Sequence, residues 1–195
     1  MEHIDQTNLV RHTAIGIIFL IGFQLMSCMP VMMMVYGIHQ PRYVPDASVI
    51  KYYHGLGLQN EIYRLKDYTE SNRKQFQYVG HSMPDMLLFN SNGQLITFEI
   101  DCSNNLDSIA SLSRKDIDSM KVVEKTLREF ISDTYVINGN GDKVGTLDQR
   151  PLYVVKFAEF AGRLNKENVP KLVERLSGRE DVQFIVLNMD YSRDN

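Results

Sequence analysis

Residues 152–164 run Leu152-Tyr153-Val154-Val155-Lys156-Phe157-Ala158-Glu159-Phe160-Ala161-Gly162-Arg163-Leu164, and their reading decides the fold. Leu152 to Phe157 reads as a strand running into a turn. Val169, Leu172, Val173 and Leu176 then recur at helical spacing, which predicts a helix over 165–176. Phe184 to Asp190 is a second apolar run suited to the middle of a sheet. Two such strands joined by a helix are parallel neighbours or near neighbours through a right-handed crossover. The predicted class is therefore α/β, a mixed sheet with flanking helices and a C-terminal βαβ unit.

Upstream lies the best hairpin of the chain. Asp85 to Phe89 and Gln94 to Ile100 flank Asn90-Ser91-Asn92-Gly93, a turn too short for anything but antiparallel strands. Further back, Val31 to Tyr36 reads as a buried strand ended by Gly37, and Ile62 to Leu65 as a short alternating strand. Between them Asp46 stands as an N-cap before Ala47, Val49, Ile50, Tyr53 and Leu56, a helix stopped by Gly55 and Gly57. Thr69 to Asn72 opens a second short helix towards Phe76. Ile117, Met120, Val123, Leu127 and Phe130 share one helical face, which predicts a long helix over 113–130.

At the other end of the chain, no charged side chain occurs from Thr13 to Ile38, and Arg11 and His12 precede that run. A charged lead, an apolar stretch and a small residue before a cleavage point describe an export signal. Leu25-Met26-Ser27-Cys28 resembles the lipobox of bacterial lipoproteins. The resemblance implies a signal peptide over 1–27 and Cys28 as the lipidated first residue of a mature domain, 28–195, with possible sub-units 31–130 and 150–195. It places the protein in the cell envelope, attached to a membrane by its lipid anchor, with the domain in the periplasm or otherwise outside the cytoplasm. The rival reading is an uncleaved transmembrane anchor, because the uncharged run is long enough to span a bilayer. Glu2 and Asp5 favour the rival; Gln24, Ser27 and Pro30 interrupt the run and oppose it.

Removal of 1–27 leaves about 170 residues, enough for one domain with a proper core. The net charge of -3, with Lys and Arg scattered among acids, opposes a nucleic-acid partner. The two cysteines are Cys28 and Cys102. Acylation of the first leaves Cys102 without a partner in its own chain, and it reads as a small buried hydrophobe at a strand end.

Two stretches resemble the thioredoxin family. Phe157-Ala158-Glu159-Phe160 and Gly162 keep the aromatic spacing and the glycine of the family's strand and active-site turn, Trp-Ala-x-Trp-Cys-Gly-Pro-Cys. Ala161 and Leu164 stand where its two redox cysteines belong, and Pro170 sits near its helix proline. Gly80-His81-Ser82-Met83-Pro84-Asp85-Met86-Leu87-Leu88-Phe89 is similar to the family's Ile-Pro-Thr-Leu-Leu-Leu-Phe segment, whose proline is cis and faces the active site. The resemblance implies a thioredoxin-like sheet in which Ala161, Leu164 and Pro84 are degenerate site positions. The proline-hairpin half precedes the active-site half, so either a βαβ unit extends the domain or the halves combine in permuted order. Thiol exchange needs an attacking thiolate and a resolving thiol, and Ala161 and Leu164 supply neither.

Several smaller patterns have plain structural readings. Pro84-Asp85 with Glu99-Ile100-Asp101 on the next strand is similar to the metal-binding core of PD-(D/E)xK nucleases, but Asp101 replaces the lysine. Asn138, Asn140 and Asp142 alternate as in calcium loops, yet Gln149 replaces the bidentate Glu, and a turn is the ordinary reading. The methionines from Met26 to Met34 with His39 suggest a soft metal, but methionine is more often apolar filler. Neither a Gly-x-Ser-x-Gly, a P-loop nor a dinucleotide fingerprint occurs. The function expected is a redox-inactive, non-catalytic lipoprotein that binds an envelope protein partner or serves as a structural component, without cofactor or metal. The alternative is an enzyme, either a single-thiol oxidoreductase using Cys102 or a divalent-metal hydrolase using Asp85 and Glu99.

Overall fold

The run 152–157 is a strand with every residue buried, and it lies at the centre of a seven-stranded mixed sheet. In this computed structural model residues 33–79, 85–97, 106–138 and 149–193 are described. The elements are α1 (Asp46–Gly55), β1 (Ile62–Leu65), a 3-10 stretch (Arg73–Val79), β2 (Asp85–Phe89), β3 (Gln94–Ile96), α2 (Leu106–Ile109) and α3 (Arg114–Asp118). There follow β4 (Val122–Thr126), α4 (Leu127–Ser132), β5 (Thr134–Val136), β6 (Leu152–Phe157), a 3-10 turn (Glu159–Ala161), α5 (Arg163–Ser177) and β7 (Gln183–Asn188). The chain divides after Ile38, and all of these elements belong to the second part.

The strand order is β4-β3-β2-β6-β7-β1-β5. β6 and β7 are parallel, joined through α5, and β7 is parallel to β1. β2 is antiparallel to β6 in the register Asp85↔Lys156 to Phe89↔Leu152, and β2 and β3 form the expected antiparallel hairpin. The two strands of the last third therefore stand between β2 and β1, which come from the first half of the chain.

The sheet is covered on both faces, which explains why β1, β2 and β6 carry no polar-out alternation. On one face Val49 and Tyr53 of α1 and Val169, Leu172, Val173 and Leu176 of α5 pack with Ile62, Met86, Tyr153, Val155, Phe157 and Val186. On the other, Val79 and Phe130 pack with Tyr63, Leu87, Phe89, Val154 and Leu187. Each fully buried aliphatic or aromatic side chain contributes about 1.5–3 kcal/mol of transfer free energy, so these two layers are the main stabilisation of the domain.

Several sequence expectations are corrected. Met33 to Tyr36, expected as part of a buried strand, is a helical turn, and Met34 is 86% exposed. Its run of methionines has no polar–apolar alternation, and methionine is a good helix former. The rest of that expected strand, 31–32, lies outside the described residues. The long helix expected over 113–130 is two short helices with β4 between them. Val122 and Val123 favour a strand, and β4 closes the sheet edge against β3, which overrides the weak helical period. The N-cap of α1 is Pro45, and Asp46 is the first helical residue. Among the described residues no helix is long and apolar enough to cross a membrane.

Candidate functional site

β6 ends at Phe157, and the chain turns through 158–162 before entering α5. Glu159 to Ala161 make one 3-10 turn, closed by Ala161 N–H donating to Ala158 C=O at 3.1 Å. Gly162 then has φ 55° and ψ -125°. A side chain there would be strained, so glycine is what lets the chain reverse into the helix. Ala161 is buried in this turn and Leu164 is half-buried in the first helical turn.

Polar side chains hold the turn from three sides. Asp190, just past β7, accepts a hydrogen bond from Glu159 N–H on Oδ2 at 2.7 Å and another from Asn188 Nδ2 at 2.8 Å. Asn165 of α5 donates through Nδ2 to the Ala158 carbonyl and to the Tyr52 hydroxyl. Tyr52 of α1 in turn donates to Gly162 C=O at 3.3 Å. Burial raises the Asp190 carboxyl above the ordinary carboxylate range, and its hydrogen bonds offset this only in part. Burial also raises the Tyr52 phenol. Asn165 Oδ1, Asn188 Oδ1 and Asp190 Oδ1 are all buried and have no hydrogen-bond partner among the described residues.

Behind the turn a fully buried arginine fixes the strand ends. Arg64 of β1 donates to the carbonyls of Val44 at 2.9 Å, Tyr191 at 2.7 Å and Asp190 at 3.3 Å, and pairs with Asp46. Hydrogen bonds to a charged group contribute about 1.5–3 kcal/mol each, enough to make this a stable clamp. Beside it, between α1 and the start of α5, runs a groove of about 390 Å³ lined by Ser48, Lys51, Tyr52, Gly55, Leu56, Glu159 and Lys166. Its lining residue Glu159 follows the carboxyl end of β6, and the carboxyl ends of parallel strands are where α/β sheets usually take ligands.

A second charged feature lies on β6 itself, one residue before the strand ends. Lys156 of β6 is wholly buried and donates to Val79 C=O at 2.6 Å and to Asp85 Oδ2 at 2.9 Å. Burial lowers the Lys156 ammonium and the Asp85 carboxylate pulls it back up. Asp85 Oδ1 accepts from Met86 N–H at 2.7 Å. Both oxygens of Asp85 are therefore engaged, and a cation on it would have to displace Lys156.

Of the expected site residues, Cys28, Pro84, Glu99 and Cys102 lie outside the described residues, as do Asn140 and Asp142. Asn138 ties β1 to the end of β5: its Oδ1 accepts from Ile62 N–H at 2.6 Å and its Nδ2 donates to Asn60 C=O. Among the described residues no group of three or more His, Cys, Asp or Glu is placed to hold a metal ion. Sequence reading passed over Lys156, Arg64, Asn165 and Asp190. For Lys156 and Arg64 a signal was present, since each is a lone cation inside an otherwise apolar strand. Comparison of the chain with known protein families, with curated proteins and with solved structures finds no match in any of the three.

Proposed function

We propose that the protein is a redox-inactive, thioredoxin-like binding module of the bacterial cell envelope, held at a membrane through lipidated Cys28. The observation that carries the fold part of this reading is the register of β2 against β6. Asp85, which follows Pro84, pairs with Lys156, which precedes the 157–164 turn. The two motif-bearing halves thus meet at one end of two adjacent strands, although the hairpin half comes first in the chain. This supports the permuted arrangement, with β6–α5–β7 as the βαβ half and β2–β3 as the hairpin half. The turn carries Ala161 and Leu164 where exchange chemistry needs thiols, which supports binding over catalysis.

Two measurements test the reading. The protein should not catalyse reduction of insulin disulfides; turnover that disappears in Cys102→Ser would overturn the redox part. Mass spectrometry of the membrane-bound protein should find a chain beginning at acylated Cys28. More than one acyl chain is expected, since a single chain holds a protein only marginally. An unmodified chain beginning at Met1 would favour a spanning anchor instead.

A further inference from the structure

We propose that the helical turn at 33–36 is a membrane-contacting element, covered by the headgroup–acyl boundary of a lipid bilayer. This rests on the membrane-attachment reading and adds a second, protein-borne contact beside the anchor. Among the described residues the exposed large hydrophobic side chains are Met33, Met34, Val35, Tyr43 and Val122, and the first three are consecutive. A lone apolar side chain in water needs no explanation, but a run of them marks a surface that something covers. A helix has about 3.6 residues per turn, so Met33, Met34, Val35 and Tyr36 occupy its whole circumference and leave no polar face. A helix that is apolar all round belongs inside a protein or a membrane.

The chain on either side of the turn favours lipid over a protein partner. No charged side chain occurs from Thr13 to Ile38, and the first formal charge after the turn is Arg42. Cys28, the expected acylated residue, stands six positions before Met34, a span of at most about 22 Å even when fully extended. Its acyl chains therefore keep Met34 within reach of the lipid surface. An uncleaved anchor does the same, because the uncharged run leads directly into this turn. Ile38 N–H donates to Met33 C=O at 2.9 Å, and Gly37 has φ 64°. This is the closure of a Schellman motif, which pairs one of the last helical carbonyls within the chain. An unpaired carbonyl is costly near hydrocarbon, where no water replaces the lost hydrogen bond. Tyr36 ends the turn, and tyrosine is enriched where a bilayer meets water. A protein interface carries a polar rim. Met29 to Ile38 supplies no polar side chain for one except the Tyr36 hydroxyl, and a lipid surface needs none.

The test uses the full chain, which contains no tryptophan. Met34→Trp places a single indole at a position that is 86% exposed, so the fold does not depend on it. The protein is reconstituted into phosphatidylcholine–phosphatidylglycerol vesicles with or without bromine near the top of the acyl chains. Insertion about 5–10 Å into the headgroup–acyl boundary should blue-shift the emission and quench about half of it in the brominated vesicles. Val122→Trp, exposed on the edge strand β4, should keep the emission of a water-facing indole in both. No quenching in Met34→Trp, or equal quenching in the two variants, would overturn the proposal. A blue shift without quenching would assign the turn to a protein surface, and would also overturn it. Flotation of the vesicles reports attachment separately. A chain that floats while Met34→Trp stays unquenched defeats this inference alone; one that does not float defeats the membrane-attachment reading with it.

Discussion

Asp190 is a buried acid whose carboxyl meets the Glu159, Phe160 and Asn188 amides, with the Glu159 carboxylate nearby and the Arg64 guanidinium on its main-chain carbonyl. A carboxyl raised above its unfolded value of about 3.9 binds its proton more tightly folded than unfolded. Its contribution is then fully favourable at acid pH and is lost as pH rises from about 4 through the folded pKa. Asp190→Asn keeps the acceptor for Glu159 N–H and removes the charge. Urea unfolding between pH 4 and pH 8 should show a flatter pH dependence in this variant and higher stability at neutral pH; an unchanged slope would exclude Asp190 as its source. Lys156 and Asp85 behave differently, because each is the counter-ion of the other. Asp85→Asn leaves a buried ammonium unpaired and should cost about 3–5 kcal/mol. Lys156→Met with Asp85→Leu should recover most of that loss, and a double-mutant cycle by chemical denaturation measures it.

At the scale of elements, the boundaries follow from local capping as much as from hydrophobic period. Ser113 accepts from Asp116 N–H while Asp116 accepts from Ser113 N–H, and Thr126 and Glu129 repeat the arrangement at the start of α4. Thr126→Ala should cost about 0.5–2 kcal/mol, read as a shift in denaturation midpoint. Gly162→Ala, at positive φ, should destabilise by about 1–3 kcal/mol, whereas Gly178→Ala, at negative φ, should be far milder. These caps also explain why part of the sequence reading failed. The Ser-x-x-Asp and Thr-x-x-Glu spacings were visible within 113–130, but the apolar positions at 117, 120, 123, 127 and 130 also fit one continuous helix. Only the pairing of β4 with β3, a contact between residues far apart in sequence, decides between the two. β6, α5 and β7 were legible because a continuous apolar run and a strong helical stripe admit fewer alternatives. The groove was not legible, since Lys51 and Lys166 look like ordinary surface lysines until α1 and α5 are brought side by side.

The whole sheet is assembled from distant parts of the chain. β6 and β7 separate β2 from β1, so a fragment of residues 39–138 would hold two groups of strands with no common neighbour. Such a fragment should show no cooperative urea transition by circular dichroism; a sharp transition would mean that the first half folds on its own. The central strands β6 and β7 also follow all the other described strands in the chain. At roughly 5–20 residues per second, several seconds of synthesis separate β3 from β7. Until then β2 has only β3 and β1 only β5 to pair with, and the Arg64 clamp lacks the Asp190 and Tyr191 carbonyls that complete it. A nascent chain built this way can hold only its two flanking groups of strands, and the sheet closes only once β7 has left the ribosome.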